Sequence, residues 1–282
     1  MNIEIKKSIK PINYFNALNL LETRLENLSK NMERELIWTL EHDEIFTAGT
    51  SYLKNEIIDK SIISSGVDKL ANSSLSFDFR KDHYTATRNS GDYIFSRRSK
   101  RNNSQIEDQL SNSGFRRLLN SKLITVSDSM ESKYIESVNS VHYFSTLPYS
   151  LNDKAVQKKL LNEVKINGKE YYKIEISFSK ENGGIDHEDV FIYWISKTDF
   201  KIDYLAYKFK VNGGGVRFRE VKKEHVINGV CFFDYNNFKP KNSNISLSSL
   251  DKAYENDKLT KVSEIILKKI YLKSCFIVLD TL

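Results

Sequence analysis

The sequence predicts an α+β fold: a truncated α/β segment followed by a curved, half-barrel-like antiparallel β-sheet with a few covering helices. Residues 1–60 follow a strand, helix, strand pattern, whereas short runs of alternating apolar and polar residues begin near residue 64. Turn dipeptides such as Asn167-Gly168 and Asn228-Gly229 separate those runs. The 15 Tyr and 16 Phe, set against 3 Pro, also favour β-structure.

The opening segment, residues 1–60, contains two predicted strands and one predicted helix. Ile3 and Ile5 alternate with charged residues, which is typical of a strand. After Pro11 the apolar residues recur at helical spacing: Tyr14, Ala17, Leu18, Leu21, Leu25 and Leu28. Residues 36–40 are then predicted to form a strand of the buried type, which leads into a loop of small residues.

A single β-rich domain is predicted over residues 64–270, with an apolar tail at 271–282. Three runs show the two-residue period of strands: Leu75, Phe77 and Phe79; Tyr172, Ile174, Ile176 and Phe178; and Leu205, Tyr207, Phe209 and Val211. In the second run we expect Lys173, Glu175 and Ser177 to face outward. Because no Pro/Gly/Ser-rich linker precedes the domain, we expect an abrupt join to the opening segment.

Two helices are predicted within this domain. Asp128 is a suitable N-cap for the first helix, whose apolar face carries Met130, Tyr134, Val138 and Val141. The second helix is predicted to begin at Asn152 or Asp153, with Val156 and Leu160 facing inward. The charged stretch at 247–273 is predicted to be helical at first and then strand-like.

Composition and charge narrow the classes of function. The hydrophobic content of 40% is that of a globular protein, and the net charge of +6 is spread along the chain. Asn13, Asn16 and Asn19 interrupt what would be a signal-peptide core, and no segment approaches the roughly 18 apolar residues of a membrane span. As written, the chain is expected to stay in the cytoplasm. Cys231 and Cys275 lack metal spacing, so no metal and no cofactor are expected.

The opening segment resembles the N-terminal part of bacterial octanoyltransferases, the lipoate-protein ligase B family. The matching residues are the helix after Pro11, Leu40-Glu41-His42 and Thr47-Ala48-Gly49-Thr50-Ser51. Members of that family move an octanoyl group from acyl carrier protein to lipoyl domains, so the resemblance implies that His42, Thr47 and Gly49 are the remnant of an acyl pocket. The alternative for His42 is a turn histidine bonded to backbone.

The catalytic part of that family has no counterpart here. After the matching loop the family continues with an Arg-Gly-Gly segment and a Thr-Tyr-His-Gly-Pro-Gly-Gln run, and a lysine and a cysteine supply the acyl-transfer chemistry. This chain continues instead with Asn55-Glu56-Ile57-Ile58, and Cys275 lacks the Pro-Cys-Gly setting of the family's nucleophile. We therefore expect no catalytic residues.

The β-rich domain resembles an uncharacterised family of exported or lipid-anchored domains of Bacteroidota. The stretches that carry the resemblance include SFDFRKDHYTATRNSGDYIFSR, SVNSVHYFSTLPYSLNDKAV and IDYLAYKFKVNGGGVRFRE. The pattern is similar to curved half-barrel sheets that hold hydrophobic ligands or lipoprotein acyl chains. The resemblance therefore implies a binding domain whose relatives are exported.

Six residues of this domain are candidates for ligand binding: His142, Tyr193, Trp194, Tyr207, Arg217 and Arg219. Arg217 and Arg219 flank Phe218 on a predicted strand, so both guanidinium groups share one face and suit a carboxylate or phosphate head group. The alternative is an outer face with ion pairs to Asp203 or Glu220. For the histidine and the aromatic residues, the alternative is a place in the core.

Two further patterns favour structural interpretations. In His187-Glu188-Asp189 only two side chains share a strand face, which leaves a metal site incomplete and favours a solvated strand entry. The basic run Arg97-Arg98-Ser99-Lys100-Arg101 lacks interleaved aromatic residues, so it favours a charged hairpin tip over nucleic-acid binding.

The sequence as a whole indicates a chimeric, non-catalytic chain whose β-rich domain binds an apolar or amphipathic small molecule or lipid. We expect an apolar cavity between the curved sheet and the helix at 129–145, with Tyr207 and Trp194 in its lining. The alternative is octanoyl transfer from acyl carrier protein to lipoyl domains, which would make those proteins its partners. A third possibility is a structural or interaction role for the sheet.

Overall fold

The computed structural model describes residues 3–42, 54–179, 189–209, 214–242 and 244–274. The chain divides into two compact units, Met1–Tyr52 and Leu53–Leu282. Among the described helices, none combines the length and the apolar content that crossing a membrane requires.

The first unit has the predicted strand, helix, strand order. Its elements are β1 (Glu4–Lys7), α1 (Tyr14–Ser29) and β2 (Leu36–Thr39), and the two strands pair in parallel. The expectation that β2 is buried is wrong. Ile37 pairs with Ile5, and their side chains remain 55% and 78% exposed. The two-residue period is present, but this face of the two-stranded sheet is open to solvent.

The second unit begins with α2 (Lys54–Ser64) and a short 3-10 helix (Val67–Ala71), after which one sheet is built from consecutive hairpins. Its strands are β3 (Asn72–Phe79), β4 (Asp82–Asn89), β5 (Asp92–Arg101), β6 (Ser104–Ser111), β7 (Gly114–Leu119) and β8 (Lys122–Ile124). The helix α3 (Asp128–Ser145) follows, as predicted. Ser127 is its N-cap, and Asp128 is its first helical residue. A carboxylate at that position interacts favourably with the positive end of the helix dipole.

The second sheet of this unit is also antiparallel. Its strands are β9 (Val156–Leu160), β10 (Val164–Ile166), β11 (Lys169–Phe178), β12 (Val190–Ser196), β13 (Ile202–Phe209), β14 (Gly215–Ile227), β15 (Val230–Pro240) and β16 (Leu259–Ile265). The order across the sheet is β10-β11-β12-β13-β14-β15-β16, with β9 paired to β11. The predicted second helix is wrong: Val156 and Leu160 belong to β9. Their four-residue spacing satisfies the strand period as well as the helix period.

A last strand joins the two sheets. The segment of β16 continues through Ile266 into β17 (Leu267–Ser274), which pairs with β3 and gives the first sheet the order β17-β3-β4-β5-β6-β7-β8. One hydrophobic core contains Phe77 and Tyr84 of the first sheet together with Phe232 of the second. The sheets stay unclosed, so the curved half-barrel with few helices is confirmed.

Part of the outer face of the second sheet is covered rather than exposed. The short helix α4 (Leu250–Glu255) packs there in a core with Trp194 and Phe218. Lys173, expected to face outward into solvent, is buried beneath it. Its ammonium donates to Asp251 Oδ2 at 2.7 Å and to the carbonyl of Ser248. The strand period placed Lys173 on the correct face, but α4 covers that face at this position, so the side chain is buried.

Candidate functional site

A cavity of about 1,060 Å³ lies between α3 and the inner faces of the two sheets. It occupies the place where the sequence predicted one, although its lining is more polar than expected. Among the described residues the lining has ten aromatic side chains: Phe79, Tyr84, Tyr143, Phe144, Phe178, Phe191, Tyr207, Phe209, Phe233 and Tyr235. The described charged side chains of the lining are Arg80, Arg97, Arg101, Lys133, Arg217, Arg219, Asp82, Glu136 and Asp189. Cations thus outnumber anions in the described lining.

Strand register arranges the wall formed by the second sheet. Phe191 of β12, Tyr207 of β13 and Arg217 of β14 are direct cross-strand neighbours, so their side chains form one row on the inner face. The Phe191 and Tyr207 rings stack with centroids 5.7 Å apart, and the Phe144 ring of α3 lies 5.1 Å from Tyr207. Phe191 and Tyr207, together with Phe144, therefore form a continuous aromatic surface, which we call the aromatic row.

Arg219 stands in the next row across the same sheet, between Leu205 and Asn237. It is 8% exposed, and its Nη2 donates to the hydroxyl of Tyr207 at 2.8 Å. Its guanidinium carbon lies 4.0 Å from the ring centroid of Phe144 and 5.0 Å from that of Tyr207. Its Nε has no hydrogen-bond partner among the described residues. Within the described part of the chain, no carboxylate oxygen lies within salt-bridge distance of this charge.

Arg217 is a second cation on the same face. Its guanidinium lies 5.1 Å from the Phe209 ring centroid and donates to the carbonyl of Val216 at 2.9 Å. Gly215 allows this packing: its φ is 155°, and a Cβ there would come within 3.0 Å of the Phe209 ring. The two arginines thus share the inner face, as predicted from their spacing.

Arg97 is a third cation of the lining, but its charge is compensated. It donates to Asp108 Oδ2 at 2.6 Å and to the Ser137 hydroxyl on α3 at 2.7 Å. It belongs to the basic run expected at a hairpin tip. That expectation is wrong for Arg97, because β5 carries the run up to Arg101 and directs Arg97 inward.

Tyr193 lies deeper than the cavity surface. It is fully buried, and its hydroxyl lies 3.1 Å from that of Tyr143 on α3. Burial raises the pKa of both tyrosines, so both hydroxyls stay protonated. Tyr193 therefore helps to fix α3 against the second sheet.

His142 and Trp194 lie in the two cores. The His142 ring stacks on Phe95 with centroids 4.6 Å apart, and its Nε2 lies 3.2 Å from the Ser96 carbonyl oxygen. Burial lowers the pKa of His142 to about 3, so the ring is neutral. Trp194 lies on the outer face, where its Nε1 donates to Asp251 at 3.3 Å. Consecutive residues of a strand point to opposite faces, which separates Trp194 from the cavity.

The residues of the expected acyl-pocket remnant belong to the first unit. His42 Nδ1 lies 2.6 Å from the carbonyl oxygen of Ile12, and the His42 ring meets that of Tyr14 edge-on. This is the geometry of the alternative, a histidine bonded to backbone. Thr47 and Gly49 lie outside the described residues.

The run His187-Glu188-Asp189, for which the sequence favoured a solvated strand entry over a metal site, lies only partly within the described residues. His187 and Glu188 lie outside the described residues, whereas Asp189 lines the cavity. Within the described ranges no group of three or more His, Cys, Asp or Glu side chains is arranged to hold a metal ion.

Sequence reasoning missed several lining residues. Phe191 lies two residues before Tyr193 and therefore on the same face, a signal that strand periodicity contained. Phe233, Tyr235 and Asn237 of β15 share a two-residue period with one another. The sequence does not show which face of β15 lines the cavity, because both faces carry aromatic residues.

Comparison with known families identifies the second unit. The model of a family of unknown function (DUF6503) matches residues 53–266. The chain belongs to this family. The DUF6503 match includes every described lining residue of the cavity except Leu267.

The chain also has curated relatives of another kind. It is similar to the octanoyltransferase of Ehrlichia canis, with 28% identity over 61 residues, which are 22% of this chain and 28% of the relative. The octanoyltransferase of Bartonella bacilliformis is 38% identical over 56 residues, or 20% and 23% of the two chains. The chain thus spans about a quarter of the length of these relatives. The resemblance to octanoyltransferases is confirmed as a partial one.

Two solved structures are similar to this DUF6503 protein. One is a putative outer membrane lipoprotein-sorting protein domain from Vibrio parahaemolyticus, with TM-score 0.41 and 7% identity, covering 78% of this chain and 94% of that one. The other is a LolA superfamily protein from Nitrosomonas europaea, with TM-score 0.41 and 10% identity, covering 79% and 93%. Both are similarities of fold.

Proposed function

We propose that this DUF6503 protein binds an apolar or amphipathic small molecule or lipid in the cavity beneath α3, without catalysing a reaction on it. The observation that carries the proposal is the cavity itself, whose volume of about 1,060 Å³ is lined by aromatic rings. Ligand sites in proteins are concave, measure roughly 300–1,000 Å³ and are mostly apolar, with a few polar groups that orient the ligand.

The aromatic row supplies the affinity. Phe144, Phe191 and Tyr207 present neighbouring ring surfaces along one wall. Each methylene group removed from water against such a surface contributes about 0.8 kcal/mol. A flexible acyl chain that follows the row would therefore gain affinity with every added carbon until the wall is filled.

The polar groups of the lining support binding rather than catalysis. Ser145 Oγ donates to the His142 carbonyl, Ser263 Oγ pairs with the Asn237 amide, and Ser137 Oγ accepts from Arg97. Among the described residues these hydroxyls are thus engaged with groups other than a general base. An activated nucleophile requires a base within hydrogen-bond reach.

The test is displacement of a neutral fluorescent probe, N-phenyl-1-naphthylamine, by alcohols of increasing chain length, with the full chain. Wild type should bind the probe and prefer longer alcohols. Ser140→Trp places a bulky ring on α3 facing the cavity and should weaken binding about tenfold or more. Ser132→Trp, at an exposed position of the same helix outside the lining, is the matched control. Equal binding by both variants would contradict the proposal.

A further inference from the structure

We infer that the ligand of this cavity carries an anionic head group, a carboxylate or a phosphate, and that Arg219 binds it. The inference rests on the proposed function, since it names the chemistry of one end of a ligand that the aromatic row would hold by its other end. Arg219, Tyr207 and Phe144 form the receptor for that head group.

The first step is the charge of Arg219. A guanidinium has five N–H donors and is always charged in proteins. Arg219 makes a single hydrogen bond with the described residues, to the Tyr207 hydroxyl, although its side chain is more than nine-tenths buried. A buried charge without a counter-charge destabilises a fold. An anion that binds at this wall of the cavity would supply a counter-charge for Arg219.

The second step is the fate of the nearby carboxylates. The sequence left open that Glu220 or Asp203 pairs with the two arginines, and the structure engages both acids elsewhere. Glu220 points to the outer face, where it accepts from Tyr254 and Asn236. Asp203 accepts from Lys169 and Tyr171. Neither Glu220 nor Asp203 therefore compensates the positive charge of Arg219.

The third step is orientation. The guanidinium lies against the Phe144 and Tyr207 rings, which hold its plane in place before any ligand arrives. Because the Tyr207 oxygen accepts from Arg219, its own O–H can donate to the same anion. Arg217, on the same face two residues earlier, adds a second positive charge. The head group would thus meet charge-assisted donors next to the aromatic row.

The experiment compares ligands that differ only in head group. Dodecanoate, dodecyl phosphate, dodecanol and dodecyltrimethylammonium are titrated against the full chain loaded with N-phenyl-1-naphthylamine. We expect wild type to bind both anions about tenfold or more tightly than dodecanol, as charge-assisted hydrogen bonds predict. Whichever anion binds more tightly identifies the source of the charge as carboxylate or phosphate, and either order supports the inference.

The variants locate the effect. Arg219→Gln should remove the preference for anions and leave dodecanol binding within about twofold of wild type, since the aromatic row is kept. Arg116→Gln changes the net charge equally at an exposed position of β7 and should keep the preference. If Arg219→Gln is poorly folded, Tyr207→Phe removes one head-group donor and should weaken binding of the anions about threefold while sparing dodecanol.

The outcomes separate the two proposals. A wild-type chain that binds neither the probe nor any dodecyl compound contradicts the proposed function and the inference together. Equal affinity for dodecanol and dodecanoate overturns the inference alone. A preference for anions that survives in a folded Arg219→Gln variant overturns the assignment to Arg219. If that variant is poorly folded, undiminished binding of the anions by Tyr207→Phe overturns it.

Discussion

The hydroxyl oxygens of Tyr143 on α3 and Tyr193 on β12 lie 3.1 Å apart, and burial keeps both protonated. This hydrogen bond ties the helix to the second sheet. On its other side, α3 reaches the first sheet through His142 Nε2, 3.2 Å from the Ser96 carbonyl oxygen. The helix that forms one wall of the cavity is therefore held by both sheets.

Removing either hydroxyl of this pair should destabilise the fold. Tyr143→Phe or Tyr193→Phe leaves the remaining hydroxyl unpaired, which should lower the free energy of unfolding by about 1–2 kcal/mol. The double variant removes both polar groups and should be no less stable than the worse single variant. Urea unfolding measures all three, and losses that simply add would show that the hydroxyls act independently.

The buried ion pair on the outer face should be sensitive to losing one partner. Lys173→Met leaves the buried Asp251 of α4 without its counter-charge, which should cost about 3–5 kcal/mol. Adding Asp251→Leu should recover most of that loss. Thermal unfolding followed by tryptophan fluorescence in a Trp38→Phe background would report the surroundings of Trp194. If the double variant were as unstable as the single one, packing rather than charge would explain the loss.

Stability should fall as the pH is lowered, partly because of His142. Its folded pKa of about 3 lies below the ordinary value of 6.5, so between these values the unfolded chain binds the proton that the folded protein excludes. This group should therefore remove up to about 1.4 kcal/mol of stability per pH unit as the pH falls below 6.5. His142→Phe should unfold with a shallower pH dependence. Parallel curves for variant and wild type would contradict this prediction.

The chain should not transfer octanoyl groups. Acyl transfer needs a nucleophile and donors for the developing oxyanion, and the glycine-rich run that follows the matching loop in octanoyltransferases is replaced here. The assay follows the mass of an apo lipoyl domain incubated with octanoyl-acyl carrier protein. Turnover that disappears in Cys275→Ala would overturn the prediction.

Limited proteolysis should remove the opening segment first. Ile5, Leu25 and Ile37 are all more than half exposed, which indicates a small core in the first unit. A chain that starts at residue 53 should keep its thermal transition. One that starts at residue 61 also loses Ile57 and Ile58, both fully buried in α2, and should be clearly less stable. Equal stability of the two fragments would count against this boundary.

Local patterns predicted the β-rich character of the second unit and several of its strands, but not how the strand faces are used. The two-residue period placed Arg217 and Arg219 on one face of their strand, because strand periodicity is a local property. The same rule separates Tyr193 from Trp194. The position of Tyr207 beside Arg217 depends on how β13 and β14 pair. The burial of Lys173 depends on Asp251, which lies far along the chain, so no local pattern could predict it. Likewise, the pairing of Arg219 with Tyr207 depends on sheet register, which the sequence does not display.

The segment β16–β17 has a consequence for how the protein is made. Leu272 of β17 pairs with Leu75 of β3, about 200 positions earlier in the chain. The ribosome adds about 5–20 residues per second, so β17 is synthesised roughly 10 to 40 seconds after β3. During that interval the first sheet presents an unpaired edge, which is a template for aggregation. Both sheets are completed by one late segment, so folding of the second unit finishes only when the last strand has emerged.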